Sequence, residues 1–428
     1  MDTAIHAQRR ERLMTQMEGG VAILPNAAVT LRNRDVEHPF RANSDFLYLT
    51  GFTEPDAVAV LIPDHPEHRY LLFVPPKDPE KEVWTGIRAG VEGAKRDFGA
   101  DEAYPLDQLD DILPGLLADR ERLYVHFGRE PAFDAKVTRW LNATRAKERQ
   151  GVRAPEELVD VEHLLHEMRL VKGPEELARM REAAAITAEA HRRAQEVCRP
   201  GMHEYQVQAE MEYLFHYRGA ERPAYPSIVA GGANACILHY TENRAELRDG
   251  DLLLIDAGCE VDGYAADVTR TFPVGSGVSG AAAEAWRIVA EAQRAAIDQV
   301  RPGKSFDDYH QTAVRVLTQG MVDLGLLHGE VDDLIENGDY RRFFLHRTGH
   351  WLGLDVHDAG RYKVDTDNWR TLAPGMVLTV EPGLYVPPDA EDAPAELRGV
   401  GIRLEDDIHV TEAEPENLTR AAPMDPPS

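Results

Sequence analysis

The sequence predicts an α/β (α+β) protein in two parts. An N-terminal mixed-sheet α/β domain is expected over residues 1–172, and a pseudo-symmetric domain of paired helix and strand units over 173–428. Three observations carry this. Short apolar runs alternate with helical patterns up to about residue 150; two proline-started helices then follow in tandem; and a nine-residue pattern recurs later in the chain.

The opening M-D-T-A-I-H-A-Q-R-R-E-R-L-M-T-Q-M reads as an amphipathic helix with charges throughout, and no apolar run approaches a signal-peptide core or a membrane span. F-L-Y-L-T-G-F, A-V-A-V-L-I-P and Y-L-L-F-V-P read as strands, and L-D-Q-L-D-D-I-L-P-G-L-L as a helix broken late by Pro114. Pro155 starts P-E-E-L-V-D-V-E-H-L-L-H-E-M-R-L-V-K, expected as a linker helix over about 155–170, and Pro174 starts the first helix of the second domain.

In that domain G-D-L-L-L-I-D-A-G, from Gly250, and G-M-V-L-T-V-E-P-G, from Gly375, match as glycine, apolar strand, carboxylate, small or imino residue and glycine. Upstream, C-R-P-G at Cys198 and V-R-P-G at Val300 repeat in the same order. Two matched landmarks predict two similar halves whose acids meet between them. Asp262-Gly263 is a two-residue hairpin signal, which sets Asp256 opposite Thr269 and puts Asp256 and Asp267 on one face as diagonal neighbours. Such a pair is either solvated on an outer face or held around a proton or metal. Glu381, at the end of M-V-L-T-V, and Glu405, sharing a strand face with Arg403, favour the second reading, because an acid at the interior end of an apolar strand needs a partner.

Four carboxylates with one imidazole make an oxygen-rich dinuclear site suited to harder ions such as Mn²⁺ and to hydrolysis. The imidazole comes from H-R-T-G-H-W-L-G-L-D-V-H-D, residues 346–358, whose glycines disfavour a continuous helix and predict a looped strand aimed at a site. Any one histidine there is commonly a satisfied polar residue, and spacing alone does not choose among the three.

Composition bounds the partners. With 47 basic against 74 acidic residues the net charge is −27, which repels nucleic acid and anionic lipid. Cys198, Cys236 and Cys259 are too few for a disulfide framework, are expected to be buried, and fit a reducing, cytoplasmic location.

The blocks I-D-A-G-C-E-V-D-G-Y-A-A-D-V-T-R-T-F, H-W-L-G-L-D-V-H-D, L-T-V-E-P-G-L-Y and G-I-R-L-E-D-D-I, with N-S-D-F-L-Y-L-T-G-F-T-E-P and C-I-L-H-Y-T-E-N upstream, resemble the pita-bread metallopeptidases, and most closely the aminopeptidases P. The resemblance implies a pita-bread catalytic domain and two divalent metal ions per subunit, with Mn²⁺ expected, held by Asp256, Asp267, His350, Glu381 and Glu405. It implies attack by a metal-held hydroxide on the bond before proline in Xaa-Pro-Yaa peptides, with Glu381 as general acid/base. It further implies that His357 bonds the substrate near the scissile bond, that His239 supports the tetrahedral intermediate, and that His346 with Arg403 lines the proline pocket. Tyr225 and, from a neighbouring subunit of a homotetramer, Trp84 and Arg149 are implied in substrate binding; read alone, they are a core aromatic, a packed tryptophan and a solvated arginine. The alternatives are a prolidase with the same metals and a non-catalytic binding protein, which would be expected to have lost ligands.

Overall fold

The computed structural model describes residues 3–424, and the chain divides into two compact units between Met168 and Arg169. The N-terminal unit is built on a six-stranded mixed sheet in the order Glu102–Pro105, Tyr70–Val74, Val58–Leu61, Val21–Pro25, Arg122–Val125, Glu157–Asp160. The two inner strands expected from A-V-A-V-L-I-P and Y-L-L-F-V-P are buried along their whole length, which is why they read as continuous apolar runs rather than alternating ones. Leu109, Leu113, Phe133, Val137 and Trp140 from the flanking helices pack on Ile23, Val60 and Phe73.

Three expectations for this unit are corrected here. F-L-Y-L-T-G-F is not a strand; its F-L-Y-L-T belongs to the helix Ser44–Thr50. Both its ends are capped: the Asn43 side chain accepts the Phe46 N–H at 3.0 Å, and Gly51 leaves the helix in left-handed backbone. Arg9 and Arg10, from the N-terminal helix Thr3–Gln16, donate to the buried carbonyls of Tyr48 and Leu49 at 3.1 and 2.8 Å, so two cations cover the negative helix end. These end contacts outweigh the β-propensity of its aromatics. Met1 and Asp2, where the expected N-terminal helix begins, lie outside the described residues.

The expected linker helix over 155–170 is also corrected: residues 157–160 form an edge strand, parallel to Arg122–Val125, and only Glu162–Leu170 is helical. Arg122 binds Glu157 across the strands at 2.6 Å, and parallel pairing from Arg122–Glu157 to Val125–Asp160 holds that edge in the sheet despite its proline start. Pro114 does not break its helix either; Leu109–Leu116 carries it through and ends two residues later.

The second unit repeats one plan twice. Helices Pro174–Val197 and Glu204–Tyr217 back a sheet of Ile228–Gly231, Leu252–Asp256 and Thr269–Pro273; helices Gly280–Ile297 and Asp308–Asp323 accompany Val377–Val380, Asp406–His409 and Glu416–Asn417. The hairpin register is the expected one, with Asp256 opposite Thr269 and the turn made by Asp262 and Gly263, both at positive φ. The halves join where Arg403 N–H donates to Thr271 Oγ1 at 3.2 Å and Glu405 N–H donates to the Thr269 carbonyl at 3.0 Å. Of the cysteines, Cys259 is buried, while Cys198 and Cys236 are half-buried, against the expectation for all three; all are free.

A buried ion cluster fixes the loop behind His357. Asp358 accepts Lys172 Nζ at 2.9 Å and Arg169 Nη2 at 2.6 Å, with the Asp358 and Lys172 side chains 1% exposed. Two cations hold this buried carboxyl below its usual range despite the burial. Asp358→Ala leaves both cations buried without their shared anion, and we expect a stability loss of ~3–5 kcal/mol by urea unfolding. An unchanged midpoint would contradict this account.

Candidate metal centre and active site

Three of the four acids of the centre sit at or just past the end of a strand, and Asp267 lies in the link between Tyr264–Ala265 and Thr269–Pro273. Asp256 ends Leu252–Asp256, and Glu381 lies between Val377–Val380 and Gly383–Tyr385. Glu405 lies between Gly401–Arg403 and Asp406–His409, in the crossover rather than on the strand face expected for it with Arg403. Asp256 takes the last ladder position of its strand, opposite Ile228 and Thr269, and Glu381 follows directly on the corresponding strand of the other half.

Within residues 346–358, the stretch 348–352 runs beside Val377–Val380: Thr379 N–H donates to the His350 carbonyl at 2.9 Å and Glu381 N–H to the Thr348 carbonyl at 2.8 Å. Gly349 is required there, because a Cβ would stand 1.9 Å from the Thr379 carbonyl oxygen. The close approach brings His350 Nε2 to 3.5 Å from Asp267 Oδ2 and 3.8 Å from Glu381 Oε1. Donor atoms of Asp267, His350 and Glu405 lie within 4.8 Å of one another. His350 Nδ1 lies 3.0 Å from the Trp351 carbonyl, which fixes the ring and leaves Nε2 facing the acids.

The Tyr225 hydroxyl bridges Asp256 Oδ1 at 2.7 Å and Asp267 Oδ1 at 2.5 Å. Arg403 Nη2 holds the other Asp256 oxygen at 2.7 Å, and Thr269 Oγ1 donates to Glu405 Oε2 at 2.6 Å. Burial raises the carboxyls of Asp256 and Glu405, and pushes Glu381 up to about 7. Burial alone would lower His350, but Asp267 and Glu381 raise it to about 9. His346 is lowered to about 3 by burial and by Arg403. Four acids therefore face two cations, Arg403 and His350, and the excess negative charge together with hard oxygen donors fits divalent ions.

These groups line one cavity of about 1050 Å³ that also carries Tyr225, His239, His346 and His357. His357 stacks edge-on to His350 with ring centres 4.3 Å apart, and His239 and His357 are exposed to the opening. His346 Nε2 lies 2.8 Å from the Tyr385 hydroxyl, which accepts from Arg403 Nη1 at 3.0 Å. Ten of the twelve residues singled out from the sequence are thus together on this cavity. Trp84 and Arg149 are not on its walls; both are exposed on the N-terminal unit.

Sequence reasoning passed over Tyr385, Thr269 and Asp407, whose carboxylate accepts the Asp267 N–H at 3.1 Å. Tyr385 and Thr269 lie inside the recognised blocks, but nothing in their spacing marks them as braces. Phe306, Tyr362 and Trp369, which form an aromatic wall of the cavity, carry no pattern linking them at all.

A two-unit chain with a carboxylate-rich, one-histidine centre at the meeting of two similar halves is, by fold and site, a metallohydrolase. Residues 178–412 match Metallopeptidase family M24 and residues 6–126 match the aminopeptidase P N-terminal domain. The chain is 47% identical to Xaa-Pro aminopeptidase of Escherichia coli strain K12, over 98% of this chain and 95% of that protein. It is 42% identical to the Xaa-Pro aminopeptidase of Haemophilus influenzae, over 98% and 94%. Among solved structures, the Pseudomonas aeruginosa aminopeptidase PepP superposes with a TM-score of 0.98 at 51% identity, over 99% of this chain and 96% of that one. Zinc-substituted E. coli aminopeptidase P in complex with product gives 0.96 at 46%, over 100% and 97%. The chain belongs to metallopeptidase family M24.

Proposed function

We propose that the chain is a metal-dependent Xaa-Pro aminopeptidase, removing the N-terminal residue that precedes proline in Xaa-Pro-Yaa peptides. The observation that carries this is the complete set Asp256, Asp267, His350, Glu381 and Glu405 on one cavity with His239, His346 and His357. A retired binding protein has no use for that set. The names of the relatives disfavour a prolidase.

The five ligands would hold two divalent ions, and the oxygen-rich set favours Mn²⁺. Such ions polarise a carbonyl and lower the pKa of bound water. Glu381 is the group that takes a proton and returns it at the proline nitrogen, which has no N–H and leaves as a secondary amine. His357 and His239, at the opening, donate toward the substrate carbonyl oxygen, and the His346–Tyr385–Arg403 chain forms a rigid wall for the proline ring. Tyr225 orients Asp256 and Asp267.

The test is an assay of Xaa-Pro-Yaa peptides against Xaa-Pro dipeptides with the metal-loaded protein. Tripeptides are expected to be the better substrates; turnover of dipeptides alone would overturn the reading in favour of a prolidase.

The protein is proposed to act in the cytoplasm as a homotetramer, with Trp84 and Arg149 reaching the cavity of a neighbouring subunit. Trp84 supports this: it is 86% exposed on the short helix Pro79–Thr85, with Val83 and Ile87 equally bare beside it. We expect a tetramer by light scattering, and Trp84→Ala to weaken tripeptide hydrolysis ~10-fold with metal content unchanged. A fully active monomer would refute the assembly. None of the helices among the described residues is long and apolar enough to cross a membrane, and the charge of −27 argues against nucleic-acid partners.

A further inference from the structure

The N-terminal unit contains another meeting of imidazole and carboxylates, which the catalytic reading does not use. His126 directly follows the strand Arg122–Val125, Asp160 ends the neighbouring strand, and Glu162 opens the helix Glu162–Leu170. Parallel pairing of Val125 with Asp160 brings these ends level. One donor atom from each of His126, Asp160 and Glu162 lies within 4.8 Å of the other two.

The second observation is the state of the imidazole. The His126 side chain is only 11% exposed, and both its ring nitrogens are shut off from solvent with no hydrogen-bond partner. A neutral ring has one N–H and one lone pair to satisfy, so burying both unpaired is unfavourable. Nδ1 stands 3.4 Å from Glu162 Oε1, and Nε2 stands 3.6 Å from Asp45 Oδ2. Both are too long or too bent for hydrogen bonds. A separation of about 3.4 Å is, however, the edge of a tetrahedron whose corners lie about 2.0–2.1 Å from a central zinc ion. His126 and Glu162 are thus spaced as two ligands of one ion.

We propose that His126, Asp160 and Glu162 form a further divalent-metal site, built wholly within the N-terminal unit, with water completing the coordination. One imidazole and two carboxylates suit a borderline ion, and zinc binds such a set more tightly than manganese. Its role is to tie a strand end to a helix start. Arg129 competes for the site, since its Nε and Nη2 hold the two Glu162 oxygens at 2.7 and 2.5 Å; this guanidinium is 68% exposed and free to swing away.

The proposal does not depend on the catalytic assignment. In crystals of the full chain loaded with Mn²⁺ and then soaked in zinc chloride, an anomalous difference peak at the zinc edge is expected within bonding distance of all three residues. Equilibrium dialysis against zinc with elemental analysis should give one equivalent fewer for His126→Ala and for Asp160→Asn than for the unsubstituted chain, with the equivalents at the Asp256–Glu405 centre retained. Arg129→Ala should bind the additional equivalent several-fold more tightly. Asp160 is exposed, so its substitution decides the matter if His126→Ala does not fold. Equal zinc uptake by all variants, or a peak confined to the Asp256–Glu405 centre, would overturn the proposal.

Discussion

Glu381→Gln is expected to lower kcat by ~10³-fold or more, because it removes a metal ligand's charge and a proton carrier together. His346→Ala is expected to cost only ~10–100-fold, since it opens one wall of the pocket and leaves Arg403 on Tyr385. The two side chains are close, with His346 Nδ1 3.7 Å from Glu381 Oε2, so comparing them separates chemistry from packing at one spot. Steady-state kinetics on a Xaa-Pro-Yaa peptide, with metal content measured for each variant, provides the check. Equal losses in two variants that both retain metal would contradict the separate roles assigned to them.

Removing metal with a chelator is expected to abolish turnover, and Mn²⁺ to restore it best among divalent ions. Reloading should depend strongly on pH. In the metal-free fold Glu381 holds its proton up to about 7, Asp256 and Glu405 are raised as well, and His350 stays protonated to about 9. All four must lose protons to become ligands, so affinity falls as pH drops below about 9, more steeply below about 7, and metal uptake releases acid. The stability linkage has the same sign. A carboxyl raised in the fold favours the metal-free native state when protonated, and that contribution is lost as pH rises from the unfolded value of about 4.3 through 7. The raised His350 contribution is likewise present below about 6.5 and lost toward 9. Buried neutral histidines such as His6 and His191, each lowered to about 4, act oppositely below 6.5, but they are common to both forms and cancel in the difference. The rise in Tm on adding Mn²⁺ should therefore be larger at about pH 8 than at about pH 5.5. A rise independent of pH would show that the acids are already ionised without metal.

Carboxylate residues outnumber histidine four to one in this centre, a set that manganese and zinc can both bind. Comparing kcat for the manganese and zinc forms is the informative measurement.

The catalytic unit was legible in the chain because its chemistry is local. Asp262-Gly263 sets the hairpin register by turn geometry alone, and that register puts Asp256 opposite Thr269. The matching G-x-x-x-x-x-[DE]-x-G segments put Asp256 and Glu381 at corresponding strand ends in the two halves. His350, by contrast, was singled out from its neighbours only through the family resemblance. The misread segments were those whose ends are satisfied from a distance. F-L-Y-L-T carries strand-forming residues, yet Arg9 and Arg10 reach across nearly forty residues to the carbonyls of its helix. Residues 157–160 follow a helix-starting proline, yet an unfilled edge beside Arg122–Val125 draws them into the sheet.

The sequence by itself determined the class of chemistry: which acids and histidines are present, and that two halves present them alike. Only the tertiary structure decided which hydrogen bonds tune them. Tyr225 between two aspartates, Tyr385 between His346 and Arg403, and His126 between Asp45 and Glu162 are separated in the chain from the groups they face by 18 to more than 40 residues. Turn and strand signals act over a few residues, whereas burial and the electrostatic field at a buried group are sums over everything packed around it.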